Sequence, residues 1–254
     1  MPLSSHDRAS YGEVMENISP IVGFVDHVTT VLPLDDLRAV SAHLFGLGLT
    51  PGWPLSEQPG FATAGIRLGN LNLEICAVDR SYIGLDDWLT FEPADLDTLA
   101  QSLKQRGLAH DPFDRVEAGG QPIYTRVGLP ALATDETAIQ VCRTFFPTRT
   151  TGPEAPPNDA SIVHVHAIDL GVDAAHRPAL ERLIAPRSFS SRVPFSEGPA
   201  LSIADADRLH IKGLTVMCKD TAQAKAALVS SGFSDLGAAL VGVGSLRILL
   251  SEST

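Results

Sequence analysis

At 254 residues the chain can form one large domain or two of about 100–130 residues, each able to bury a proper core. Its 44% hydrophobic and 19% charged residues are ordinary for a globular protein. A net charge of −11, with only four Lys and no basic run, argues against nucleic acid or an anionic membrane as the partner. No apolar run reaches the roughly 18 residues of a membrane span, and Asp7, Glu13 and Glu16 interrupt any signal-peptide core. Cys76, Cys142 and Cys218 are too few and too scattered for a disulfide framework or a zinc knuckle, so a reducing cytoplasm is the expected setting.

After a polar extension over 1–20, IVGFVDHVTTVL (21–32) is rich in β-branched residues and predicts a strand. In PLDDLRAVSAHLFGLG, Leu37, Val40, Leu44 and Leu47 follow helical spacing, with glycines after the end. FATAGIRLGN and LNLEICAV predict two strands around a Gly-Asn turn. The pattern then repeats: WLTFEP as a strand, ADLDTLAQSLKQRG as a helix stopped by Gly107, and YTRVGL and AIQVCRTFF as strands.

Residues 149–160, RTTGPEAPPNDA, lack any apolar period and predict an extended linker between 21–148 and 161–254. Beyond it come the strand SIVHVHAIDLGV, a helix from about Arg177 with Pro178 in its first turn and Pro186 after its end, and a strand over LSIA. HIKGLTVMCKD predicts the next strand, and TAQAKAALVSSG a helix capped by Asp220 and stopped by Gly232. Stretches 50–60 and 108–123 carry no periodic signal and are expected as loops.

The four quarters align. Residues 88–107 match 213–232 without a gap, and each quarter closes on a similar strand: LEIC (73–76), IQVC (139–142), LSIA (201–204) and LRIL (246–249). Quarters three and four are shorter, so a strand is expected to be trimmed there.

A strand–helix–three-strand unit used in pairs resembles the vicinal oxygen chelate superfamily, the glyoxalase-like fold. The closest stretch is 22–80, with a His at the centre of FVDHVTTVL, a helix ending LFGLGL, and a hairpin closing on GNLNLEICAV. The resemblance implies an α+β protein of four βαβββ-type modules, forming two curled half-barrel sheets flanked by helices. It also implies a divalent metal held by residues of the first and last strands of a module. By position, His27 and Glu74 are such a pair. Imidazole nitrogen and carboxylate oxygen suit Fe²⁺, Mn²⁺, Zn²⁺, Ni²⁺ or Co²⁺. Glu74 is also the candidate proton carrier.

The other modules depart from the pattern. The second offers Trp88, which cannot ligate, and Gln140, which can through its amide oxygen. The third offers His166, with His164 two residues earlier on the same face of the strand, but Ser202 in the last strand. The fourth offers Gly213 and Arg247. The C-terminal half therefore lacks the two-His-one-Glu set that ring-cleaving dioxygenases of this superfamily keep there, which argues against that activity.

Each candidate has a plain alternative. His27 and Glu74 can be a hydrogen-bonded barrel pair, Gln140 a satisfied polar group, and His164 and His166 polar groups facing solvent. Cys76 and Cys142 suit small apolar core positions. Trp88 suits a core site or the wall of a pocket for an apolar or aromatic ligand. Arg247 can be a surface residue or can hold an anionic group. Two functions follow: a metal-dependent lyase, isomerase or oxygenase acting on a small oxygenated molecule, or a metal-free binding protein of the drug-sequestering kind. Either is expected as a monomer or homodimer.

Overall fold

The computed structural model describes residues 19–78, 85–118, 120–145 and 157–253. Most of the polar extension (1–18) and of the linker (149–156) lie outside the described residues. The first module is β1 (Val22–Val31), α1 (Leu34–Gly46), β2 (Pro51–Gln58), β3 (Phe61–Arg67) and β4 (Asn72–Val78). The second is β5 (Asp87–Pro93), α2 (Leu99–Gln105), β6 (Asp114–Ala118), β7 (Gln121–Ala133) and β8 (Thr137–Thr144). The third is β9 (Ile162–Val172), α3 (Arg177–Ile184), β10 (Arg192–Val193) and β11 (Ala200–Asp205). The fourth is β12 (His210–Cys218), α4 (Thr221–Ser230), β13 (Ser234–Asp235), β14 (Leu240–Val243) and β15 (Leu246–Glu252).

The first two modules form an eight-stranded sheet in the order β2-β3-β4-β1-β5-β8-β7-β6. The last two form a seven-stranded sheet ordered β10-β11-β9-β12-β15-β14-β13. In each sheet the first strands of two modules pair antiparallel at the centre, and each pairs in parallel with the last strand of its own module. Parallel neighbours need a long crossover, and the helix plus outer strands supply it.

Two expectations are corrected. The stretches expected as loops hold strands: β2 occupies most of 50–60, and β6 lies within 108–123. Both are edge strands, where Pro51 and Pro54 are tolerated because one side of the ladder is unpaired. Neither sequence alternates cleanly, so their extended state comes from pairing with β3 and β7. The trimmed strand falls in the third module, where β10 has two residues and β11 is the only long strand after the helix.

The helices end as their chemistry dictates. Asp220 accepts from the Gln223 amide at 2.9 Å and caps α4. The second helix is shorter than its sequence pattern: Asp95 accepts from the Asp97 amide at 2.9 Å in a turn, and α2 begins only at Leu99.

One contiguous apolar core runs through both sheets, from Val25, Val28 and Phe91 to Leu170, Leu214 and Ile248. Phe91 meets Phe195 at a ring-centroid distance of 5.9 Å. Polar ties join the halves as well. Arg187 donates to the carbonyls of Val22 and Gly23, both at 2.9 Å, and the Val165 amide donates to Asn70 Oδ1 at 2.9 Å. Asn70 belongs to the Gly-Asn turn before β4, whose Gly69 lies so close to the Val163 carbonyl that a Cβ would stand 2.4 Å from it.

Candidate functional site

Strand period and register assemble the site. Because β1 and β4 run parallel with His27 opposite Asn72 and Thr29 opposite Glu74, these four residues share one face. Across β5 and β8 the same face carries Trp88, Thr90 and Gln140, in the pairs Thr29–Trp88, His27–Thr90 and Thr90–Gln140. The opposite face carries the apolar core residues Val28, Leu73, Ile75, Leu89, Ile139 and Val141.

The eight-stranded sheet curls around this polar face. Arg126 on β7 is four strands from Cys76 on β4, about 19 Å in a flat sheet. Its positive charge nonetheless acts on the Cys76 thiol. Burial pushes that thiol far up, the Glu74 charge adds to the rise, and Arg126 opposes it. Cys76 and Cys142 are thus buried, protonated wall residues, not nucleophiles.

His27 and Glu74 are brought together: Nε2 stands 3.4 Å from Glu74 Oε2. The other ring nitrogen, Nδ1, lies 2.8 Å from Asp26 Oδ2. Asp26 and His27 are consecutive, so a regular strand would send them to opposite faces. A β-bulge prevents this. Val25 pairs with Phe91 and His27 with Thr90, leaving Asp26 as the extra residue and bringing its carboxylate to its neighbour's ring.

Two hydroxyls fix the Glu74 carboxylate. Thr29 donates to Oε2 at 2.8 Å and Thr63 to Oε1 at 2.6 Å. Trp53 Nε1 in turn donates to Thr63 at 3.1 Å, and its ring meets His27 edge-on at 5.8 Å. The indole lies directly on Gly65, where a Cβ would come within 2.4 Å of the ring. Gly128 on β7 is similarly covered by the Asp111 carboxylate. Asp26, His27 and Trp53 are all at most 7% exposed.

This arrangement carries a chemical requirement. With Nδ1–H directed at Asp26, the Nε2 lone pair faces a carboxylate oxygen, and two electron-rich atoms at 3.4 Å need a cation between them. A proton, giving imidazolium, meets the requirement, and so does a metal ion. Two donors each about 2.1 Å from one ion stand about 3.0–3.4 Å apart at octahedral or tetrahedral angles, so the pair fits. Among the described residues no group of three or more His, Cys, Asp or Glu is gathered for a metal, so such an ion would take its other ligands from water, substrate or an amide oxygen such as that of Gln140.

The remaining candidates make contacts of their own. Gln140 turns its amide nitrogen to Thr90 Oγ1 at 2.9 Å, mirroring the Thr29–Glu74 contact of the first module. Trp88 is buried in a small apolar cluster with Val31 and Cys76 beside Thr29. In the seven-stranded sheet, Ser202 pairs with Asp169, as Glu74 pairs with Thr29. The register counterpart of His27 is therefore Ala167, and His166 falls one position out of step at a bulge. His166 Nε2 lies 2.9 Å from the Arg192 guanidinium. Desolvation, Arg192 and then His164 hold its pKa below the usual histidine value, and an adjacent guanidinium opposes a metal cation. His164 is half-buried beneath the Gly69 turn, and Arg247 is exposed.

Asp26, Thr63 and Trp53 escaped the sequence reading. Trp53 lay in a stretch read as loop, and its lone aromatic among prolines was the only available signal. Asp26 is the chain neighbour of His27, and strict alternation would place it on the other face.

No family model matches the sequence, and no curated protein matches it. Solved structures do match in fold. A hypothetical protein from Staphylococcus aureus aligns with a TM-score of 0.58 at 5% identity, over 90% of this chain and 98% of that one. A mutant of 4-hydroxymandelate synthase from Streptomyces coelicolor aligns at 0.53 and 14% identity, over 86% and 77%. Homoprotocatechuate 2,3-dioxygenase from Arthrobacter globiformis aligns at 0.53 and 12% identity, over 92% and 81%. The chain has the vicinal oxygen chelate fold. At these identities the likeness is one of architecture, and the chemistry has to be argued from the residues.

Proposed function

We propose that the chain is a divalent-metal-dependent enzyme, a lyase, isomerase or oxygenase, acting on a small oxygenated molecule within the eight-stranded sheet. His27 and Glu74 are the protein ligands. The observation that carries this reading is the His27 ring set between two carboxylates, Asp26 on Nδ1 and Glu74 on Nε2. When bound, the ion supplies Lewis acidity toward two neighbouring substrate oxygens.

The chain's own residues do the rest. Asp26 holds the Nδ1–H tautomer and raises the basicity of Nε2. Thr29 and Thr63 hold the plane of the Glu74 carboxylate, the group placed to move a proton at this centre. Trp53 and Trp88, each 7% exposed, exclude water from either side. Gln140 and Thr90 extend the polar wall along which a substrate lies.

A second reading, a metal-free small-molecule binding protein, has one observation in its favour. Both oxygens of Glu74 already accept a hydroxyl, and no third acidic, His or Cys ligand is gathered among the described residues.

Elemental analysis separates the two. Protein purified without chelator or His-tag, as wild type, His27→Ala and Glu74→Ala, is expected to carry about one divalent ion per chain only in the wild type. A wild type that stays empty after reconstitution, beside variants that keep full stability and ligand binding, overturns the enzyme reading.

A further inference from the structure

Arg126 stands apart from the other cations of the eight-stranded sheet. It lies on the site face of β7, opposite Cys142 and two residues from Gly128, which pairs with Gln140. Its Nε donates to Asp114 Oδ2 at 2.9 Å, from the facing position on β6. Its guanidinium carbon lies 5.4 Å from the centroid of Tyr124, two residues earlier on the same face. These contacts pin one edge and one face of the group and leave both Nη atoms without a partner among the described residues. The side chain is 40% exposed, so solutes can reach it. Its register opposite Cys142 puts it on the face that carries Gln140, Thr90 and Glu74, and its charge acts on the Cys142 thiol and the Tyr124 hydroxyl.

A cross-strand pair with Asp114 accounts for Nε alone. A guanidinium held in a fixed plane with both terminal nitrogens open is arranged for two parallel hydrogen bonds to a planar anion. The charge of the surroundings narrows the anion. Asp26, Glu74, Asp111 and Asp114 all lie on or beside this face with Glu92, whose partner is Arg143, and the remaining arginine of the face, Arg67, is buried opposite Asn72 on β3. A face on which carboxylates outnumber guanidinium groups suits a monoanion and disfavours a phosphate dianion.

Resting on the proposed function above, we infer that the substrate carries a carboxylate. Arg126 anchors it on the β7 side of the face while the oxygenated end lies at His27 and Glu74. Arg126 is thus a specificity-determining residue rather than a catalytic one.

The test uses two probes with the same vicinal hydroxyls, catechol and 3,4-dihydroxybenzoate, titrated calorimetrically into metal-loaded and metal-free protein. Wild type is expected to prefer the carboxylate by about tenfold or more. Arg126→Gln is expected to bring the two within about twofold while leaving catechol binding unchanged, with Arg126→Lys intermediate. Asp114→Asn removes the cross-strand pair but not the cation, and is expected to keep most of the preference. Equal affinities in the wild type, or an equal loss in Asp114→Asn and Arg126→Gln, overturn the inference. So does displacement by inorganic phosphate as effective as by benzoate. Failure of the metal reading has a different signature: the preference persists, but metal-loaded and metal-free protein bind alike. Binding of neither probe overturns both.

Discussion

Where the eight-stranded sheet presents Glu74 between two threonine hydroxyls, the seven-stranded sheet presents Ser202 opposite Asp169, and where the first holds His27 between carboxylates, the second has Ala167. Both sheets use the same central antiparallel pair flanked by parallel last strands. They differ in their outer strands. β2 carries Trp53 over the site face of the first sheet, and β6 holds Arg126 at the other margin. The third module has only the two residues of β10 in place of such a strand, and residues on that face, His166, Arg247 and Leu249, stay exposed. Enclosure is what separates a chemical centre from a solvated polar surface: a desolvated carboxylate and imidazole interact strongly, whereas the same groups in water do little.

The comparison breaks most sharply at the metal. His27→Ala or Glu74→Ala is expected to lower affinity for a divalent ion by a hundredfold or more, whereas His166→Ala leaves it unchanged, as equilibrium dialysis would measure. Metal that survives in the His27 variant and disappears with His166 would move the centre to the other sheet.

The next effect lies where the sheets meet. Asp87, 4% exposed, accepts from Ser245 at 3.1 Å, and burial raises its pKa to about 6, with hydrogen bonds from Thr137 and Ser245 offsetting part of the rise. The folded carboxyl therefore binds its proton more tightly than the unfolded one, whose pKa is 3.8. Its contribution to stability is full below about pH 4 and is lost as pH rises through about 6. Asp87→Asn is expected to remove this pH dependence and to stabilise the protein at pH 7, by at most about 3 kcal/mol. Urea denaturation at pH 5 and pH 8 reads it; identical slopes of stability against pH in wild type and variant would refute the linkage.

Asp26→Asn acts at one remove. It keeps the shape of the bulge but withdraws the anion behind Nδ1, and is expected to weaken the metal site by about 10–100-fold. An unchanged affinity would reduce Asp26 to a scaffold residue. The smallest effect tests the exposed sheet itself: His166→Ala is expected to shift stability by no more than about 0.5 kcal/mol in thermal denaturation, because His166 is exposed and faces a guanidinium. A larger loss would show that the Arg192 contact carries structural weight.

Much of the scaffold was legible in the chain. The β-branched runs of β1 and β9, the helical spacing in α1 and α4, the Asp220 cap and the Gly-Asn turn are local properties, and local chemistry sets them. The shortfall of the third module was visible as missing length. The strands β2 and β6 were not, because their extended backbone is imposed by a neighbouring strand on sequences that alternate poorly. His166 was misplaced for a related reason: two histidines in one strand cannot reveal the bulge that shifts their register.

By itself, then, the sequence determined a repeated strand–helix–strand unit and singled out His27 and Glu74, since each stands at a fixed place in a strand of readable period. Tertiary structure alone decided what surrounds them. Parallel pairing of β1 with β4 set Thr29 beside Glu74, a bulge turned Asp26 onto the ring of its neighbour, and the curl of the sheet brought Trp53 over the site and the charge of Arg126 within reach of Cys76. Those partners are 1 to 99 positions from His27 along the chain, and only register and curvature, which depend on the whole sheet at once, fix such contacts.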